Sequence, residues 1–592
     1  SLPLAFSPLA IAATTSDPVV VTATRTAVTA DQALASVTVL TREDIERRQA
    51  QDVLELLRTE TGIDISRTGG PGGTIDLFMR GTNSNHVLVL IDGVRVASAT
   101  TGTFEFRNLS LGQIERIEIV RGPRATLYGS DAIGGVIQIF TRRPQGPMAA
   151  VGGGSYGTVT AEAGYGGGKD IRGSVTTTYF RNHGFSAQNA NGVSFDPDDD
   201  GYRNRAVTGT LALPLWSGTE LELRGWRAAS DIEFDIGSSD AINEALSAAL
   251  RSKVTDTWAS TLRAGYALDD LDTASSFPSH IITHRRTLDW QNDFALSDNH
   301  LLTLGASYQE DAGVNRDTGS NSVVFDATAR NGAAFALWQG RWKPIDIQLG
   351  ARHDDHSNFG SHQTGSFAIG GDVSSASRVR FSYGSGFRAP TLNELYHPGF
   401  SFGYAGNPAL GPERSHSAEL GFTTRPSTHE RLDISVYQTN VDDLIAFEGT
   451  NNQAINVAEA SIRGTEITYD TAYASWRYRV GATLQRARNE VTNAELLRRP
   501  DVKLSSQVQR QYAGGASIGA ELVLSSDAAD FGTRVAGYGI VNLAGQLPLA
   551  RDLRLLARLE NLFDKDYQLV DGFNTVGRAI FVTLRYEATP NP

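Results

Sequence analysis

The residues best placed to do chemistry are in the run Asp196-Pro-Asp-Asp-Asp-Gly-Tyr202. Alternate Asp residues closed by a glycine turn can set several carboxylate oxygens around one point, the arrangement that hard cations such as Ca2+ prefer. Asp235, in Glu233-Phe-Asp235, follows on the next hairpin within reach. Asp196, Asp198, Asp199, Asp200 and Asp235 are therefore the candidate metal ligands, with Ca2+ the candidate cofactor. The same run also suits a solvated acidic loop. His280 and His284 are four apart, as in helical zinc motifs, but their neighbours read as strand and no Glu stands beside either. His353, His356 and His362 are scattered near a turn. The chain has no cysteine, which excludes disulfides, thiolate metal sites and a cysteine nucleophile. No nucleophile, base and orienting group stand in a defensible arrangement, so the sequence does not read as an enzyme.

The elements that must carry these residues are mostly strands. With 592 residues, the chain is too long for one ordinary core. Its 60 glycines and short helical stretches favour a large closed sheet over several soluble domains. No apolar run approaches the roughly 20 residues of a membrane helix, so any crossing of a membrane must use strands. Beyond about residue 145, Leu221 and Leu223 alternate with Glu220, Glu222 and Arg224. Val379, Phe381 and Tyr383 alternate with Arg378, Arg380 and Ser382, and Leu432, Ile434 and Val436 with Asp433, Ser435 and Tyr437. Such alternation indicates an antiparallel sheet with one face in an apolar medium. A net charge of -13 argues against non-specific nucleic-acid binding.

Nearer the start, residues 1–13 end in Ala10-Ile-Ala12 and read as the apolar remnant of a secretory signal. Asp17-Pro-Val-Val-Val-Thr-Ala23 is β-branched and could add itself as a strand to another protein's sheet edge. Thr41 precedes Asp44 by three residues, as at a helix N-terminus, and 41–48 and 52–58 carry short helical periodicity. Ile45, Val53, Leu54 and Leu57 would face a core, and Arg47, Arg48 and Arg58 would form a solvated face. Arg-Gly and Asp-Gly pairs after strand-forming runs mark tight turns that need positive φ.

Four blocks now stand out: Leu77-Phe-Met-Arg-Gly-Thr-Asn83, Val87-Leu-Val-Leu-Ile-Asp-Gly-Val94, Ile117-Glu-Ile-Val-Arg-Gly-Pro-Arg124 and Tyr128-Gly-Ser-Asp-Ala-Ile-Gly-Gly-Val136. In this order they resemble the plug domain of TonB-dependent outer-membrane transporters. Leu559-Glu-Asn-Leu-Phe-Asp-Lys-Asp-Tyr567 and Gly577-Arg-Ala-Ile-Phe-Val-Thr-Leu-Arg-Tyr586 resemble the last two strands of that family, although Ala588 stands where the family has a terminal aromatic. The resemblance implies an all-β membrane protein, a 22-stranded antiparallel transmembrane β-barrel with an N-terminal mixed α/β plug domain inside the lumen. It divides the chain into a signal-peptide remnant (1–13), TonB box and linker (14–26), plug (27–144) and barrel (145–592).

Asp198, Asp200, Gly201 and Tyr202, with Phe234 and Asp235, resemble the calcium-binding loops of the cobalamin-transporting branch, with Ser186 where that branch has a further Asp. The resemblance implies TonB-dependent import of cobalamin across the bacterial outer membrane; a ferric siderophore or another large metal chelate is the alternative cargo. Asp17, Pro18, Val19, Val20, Val21, Thr22 and Ala23 become the TonB box. Outward plug loops become the substrate platform, through Thr68, Gly69, Gly70, Ser98, Thr100 and Thr101. Arg80 and Arg121 of the plug would be costly to bury unpaired. They are expected to meet the barrel acids Glu413 and Glu466 in a plug–barrel latch. The implied partners are the TonB protein of the inner membrane, the cargo, and outer-membrane lipid and lipopolysaccharide, with no nucleic acid and a monomeric state.

Overall fold

The computed structural model describes residues 20–21, 28–29, 32–400, 403–448, 453–457 and 459–588. The signal-like segment 1–13 and all of the TonB-box segment except Val20 and Val21 lie outside the described residues. Those two residues form a strand antiparallel to Val28–Thr29.

The plug is built around a five-stranded mixed sheet in the order Val37–Leu40, Ile114–Arg121, Gly135–Thr141, Val87–Ile91, Val94–Arg95. Val87–Ile91 runs parallel to Gly135–Thr141, and every residue of it is buried, as befits a strand covered on both faces. Asp92 and Gly93, at φ 50° and 86°, make the tight turn into Val94–Arg95. Helix Arg42–Arg48 starts where the Thr41 side chain accepts the Asp44 N–H and Asp44 returns the bond, and Asp52 caps Val53–Arg58 by accepting the Glu55 N–H. Ile45, Val53, Leu54 and Leu57 lie in the plug core. Arg48 and Arg58, expected on a solvated face, are instead buried. Arg48 meets Glu60 at 2.7 Å and Arg58 meets Glu55 at 2.5 Å, because the polar side of each helix faces barrel wall or plug and not water.

Around the plug, strands from Met148–Gly154 to Ala579–Glu587 form a closed 22-stranded antiparallel barrel. The last strand pairs with the first, Tyr586 opposite Ala149, so no sheet edge remains. Leu223, Phe381, Tyr383 and Val436 are exposed on the outer face, while Glu222, Arg380 and Ser435, one residue away from three of them, are buried on the inner side. This arrangement puts the apolar half of each alternating strand toward lipid and the polar half inward. One end of the barrel has short turns, such as 217–218 and 343–344; the other carries the long segments 183–201, 389–412 and 561–578.

Candidate functional site

Arg80 lies at a kink, with φ 52°, just after the hairpin strand Ile75–Met79. Its side chain leaves the plug toward neighbouring barrel strands. Nε and Nη2 donate to the two oxygens of Glu466 at 2.8 and 2.9 Å, and Nη1 donates to Glu419 at 2.7 Å. The guanidinium lies 4.3 Å over the Tyr437 ring. Burial opposes its charge, but Glu466 and Glu419 hold the Arg80 guanidinium above its usual range. Glu419 also accepts the Ser36 hydroxyl at 2.6 Å, joining a second plug segment to the same carboxylate. One plug arginine thus bridges two barrel acids in a fork that leaves little room for rearrangement.

The other expected latch residues are arranged differently. Arg121 is 3.9 Å from Glu466 and donates within the plug, to the Thr61 carbonyl at 2.9 Å and the Thr38 hydroxyl at 3.0 Å. Glu413 meets neither arginine. It takes Arg388 Nε at 2.5 Å and the Ile445 N–H at 2.8 Å, and lies 2.7 Å from His86 Nε2. Arg388 in turn grips both oxygens of Glu394, the residue that boxes the helix Leu392–Tyr396 onto Thr391. His86, Arg388, Glu394 and Glu419 are contacts that sequence reasoning missed. Glu419 could have been found, since it shares the inward parity of Glu413 on Glu413–Thr424.

At the long-loop end, the acidic segment folds over the plug. Gly69, at φ 83°, lets Ala187 approach so closely that a Cβ on the glycine would lie 2.6 Å from the alanine's own, and Phe185 covers Gly70. Thr68 is half-buried and Thr101 exposed. Ser98 and Thr100 are buried, 4% and 0% exposed, with hydroxyls 3.2 and 3.0 Å from Thr283 Oγ1 on the wall. Asn393 N donates to the Thr100 carbonyl at 3.1 Å, so this plug loop is bolted to the barrel. Beside it lies a cavity of about 80 Å³, edged by Arg95, Asp131, Arg285, Asp311 and Arg352. That volume holds a few waters and no larger molecule.

The Asp residues gather without a basic partner among the described residues. Asp200 accepts the Ala187 N–H at 2.6 Å, and Asp235 accepts those of Gln188 and Asp196 at 3.1 and 3.2 Å. Glu233 takes the Gly201 N–H at 2.9 Å. Burial, with the charges of Asp235, Asp198 and Glu233, pushes the Asp200 carboxyl up to about 6. An all-oxygen, uncompensated anionic cluster fits a hard cation in its chemistry. Among the described residues, however, no group of three or more His, Cys, Asp or Glu converges as a metal site, and the carboxylates of Asp200, Asp235 and Glu233 hold backbone N–H groups instead. His280 and His284 are likewise separate, one 2.8 Å from Asp270 and the other 3.0 Å from the Tyr266 hydroxyl.

Comparison with known proteins accounts for this architecture. Residues 29–136 match the TonB-dependent receptor plug domain, and residues 154–562 match the family described as TonB dependent receptor-like, beta-barrel. The Vitamin B12 transporter BtuB of Photobacterium profundum is 30% identical over 608 residues, 96% of this chain and 95% of that protein. The protein of the same name from Vibrio vulnificus is 30% identical over 600 residues, 97% and 95% of the two chains. Among solved structures, a mutant ferric enterobactin receptor PfeA from Pseudomonas aeruginosa superposes with TM-score 0.80 at 19% identity, covering 96% of this chain and 100% of its own. The siderophore receptor PirA from Acinetobacter baumannii gives 0.79 at 17%, covering 94% and 99%. The plug and barrel matches and the near-full-length relatives make this chain a member of the TonB-dependent receptors, a transporter of the Gram-negative outer membrane.

Proposed function

We propose that this receptor imports cobalamin, and the observation carrying that reading is 30% identity along almost the whole chain to proteins named vitamin B12 transporters. The siderophore receptors share the fold at 19% identity or less, which does not discriminate cargo. Cobalamin would settle on the long-loop end, over Thr68, Thr101 and the cover formed by 183–201. Ca2+, when bound, would supply charge neutralisation to Asp198, Asp200, Glu233 and Asp235, drawing the cover into one arrangement. Glu233 joins the expected ligands because it meets the same crowded carboxylates.

Tension from TonB on residues 17–23 would then reach the plug. The Arg80 fork to Glu466 and Glu419 resists it, together with other buried plug–wall contacts such as His86 with Glu413 and Glu60 with Arg479. Two titrations of the detergent-solubilised protein test the cargo, one with cyanocobalamin and one with a ferric siderophore, each with and without calcium. Tight cobalamin binding, strengthened by calcium, is expected. Tight siderophore binding with none to cobalamin would overturn the reading.

A further inference from the structure

The barrel's outer face carries two arginines that the transport reading does not use. Arg463, on Ala460–Tyr473, stands directly opposite Arg486, on Trp476–Asn489. Both are exposed. Like charges directly opposite on one sheet face are destabilising unless something between them is negative. Elsewhere on the barrel, exposed arginines meet acids across strands: Arg203 and Arg205 share Asp231 at 2.5 and 3.1 Å, and Arg286 and Arg330 share Glu310 at 3.0 Å each. Arg463 and Arg486 have no such partner among the described residues.

Their position gives the missing partner its chemistry. Two residues toward the short-turn end, about 7 Å away, the same strands present the row Leu420, Val436, Thr465, Leu484 and Val502. Four of these are apolar and exposed: Leu420 at 55%, Val436 at 51%, Leu484 at 46% and Val502 at 46%. The arginine row continues across the wall through Gln438 to Ala418 and Tyr383, and Arg463 and Arg486 are near the long-loop ends of their strands, at Ala460 and Asn489. The pair therefore sits at the outer rim of the lipid-facing band, since long loops mark the extracellular side of such barrels. Both rows line one open groove of about 660 Å³, floored by the small residues Ala418, Gly464 and Thr465. Asp501 reaches its rim but lies within ion-pair distance of neither arginine.

We propose that this groove is a binding site for a phosphorylated glycolipid of the outer leaflet. Arg463 and Arg486 hold a headgroup phosphate between them, Gln438 donates to its sugar or phosphate oxygens, and an acyl chain lies along Leu420, Val436 and Leu484. Guanidinium forks suit phosphate oxygens, and two facing forks converge on one dianion. The phosphate in turn removes the repulsion within the arginine pair. The site is on the lipid side of the wall, separate from the cargo and the plug.

The test uses the full-length protein in nanodiscs containing bis-phosphorylated lipid A, then gentle detergent extraction and native mass spectrometry. The wild type retains one glycolipid per chain. Each arginine at a charged lipid surface contributes about fivefold, so Arg463→Gln with Arg486→Gln lowers the retained fraction about twenty- to thirtyfold. Heat-modifiable electrophoretic migration confirms that the variant barrel is folded. An Arg203→Gln, Arg205→Gln protein, altered at an acid-paired site, keeps wild-type retention. Equal retention by the Arg463→Gln, Arg486→Gln protein overturns the site. Equal retention of dephosphorylated lipid A overturns the phosphate assignment, and displacement of the lipid by millimolar inorganic phosphate alone overturns the glycolipid assignment.

Discussion

Glu466→Gln isolates one of the contacts that tie the plug to the wall. Arg80 is 2% exposed and makes three charge-assisted hydrogen bonds, two of them to Glu466 at 2.8 and 2.9 Å. The substitution keeps the side-chain volume and one acceptor but removes the charge, leaving Glu419 as the one carboxylate on Arg80. Removing one partner of a buried ion pair destabilises by about 3–5 kcal/mol, and the surviving Glu419 contact places this variant at the lower end, about 3 kcal/mol. That energy corresponds to about a hundredfold faster local opening. Hydrogen–deuterium exchange in nanodiscs reads it on the amides of Ile63–Arg67 and Ile75–Met79, the hairpin that Arg80 follows. Glu413→Gln is the control, because Glu413 meets His86 and Arg388 and not Arg80. An acceleration below about fivefold in Glu466→Gln, or one equal in both variants, refutes the latch.

Four further outcomes follow from the long-loop end. The Asp200 carboxyl, raised to about 6, binds its proton earlier in the folded loop than the roughly 3.9 of an unfolded chain. Without calcium, stability there is gained as pH falls through about 6 and lost as it rises. Limited proteolysis of 183–201 should be slower at pH 5 than at pH 7, with the difference abolished in Asp200→Asn; faster cutting at pH 5 contradicts the assignment. Calorimetric calcium affinity should fall over the same window as protons compete. Gly69→Ala forces a side chain into a positive-φ position against Ala187, at a cost of about 1–3 kcal/mol. It should displace the cover and weaken cobalamin binding at least tenfold while the barrel melts unchanged; wild-type affinity would remove the cover from the site. Thr283→Val strips Ser98 and Thr100 of their shared wall hydroxyl, so exchange in residues 97–103 should quicken about tenfold, from roughly 1–2 kcal/mol of lost hydrogen bonding. Unchanged exchange there would show that the loop is held otherwise.

Local chemistry was readable before any coordinates: the Thr41 cap, the Asp92-Gly93 turn and the outward Leu223, Phe381 and Val436 all follow from neighbours in sequence. A need for carboxylates around Arg80 was also readable, because a plug arginine inside a barrel cannot stay bare. Which carboxylates was not. Glu413 and Glu419 share one strand and one inward face, and alternation fixes the face of a side chain but not its height against the plug. Ser98 and Thr100 show the same limit, since a hydroxyl-rich loop has one composition whether it meets a ligand or Thr283, a partner more than 180 residues away. Arg48 and Arg58 read as solvated because helix polarity ordinarily faces water; in a lumen it faces Glu60 and Glu55.

The central claim is energised cobalamin import, and whole-cell uptake of labelled cyanocobalamin tests it most directly. The assay uses cells lacking any other cobalamin receptor and compares the intact protein with one lacking residues 17–23. The intact receptor is expected to accumulate label against a gradient and to stop when the proton gradient is collapsed. The deletion is expected to bind label at the surface without accumulating it. Accumulation that survives the deletion, or none by the intact receptor at saturating ligand, would contradict the account.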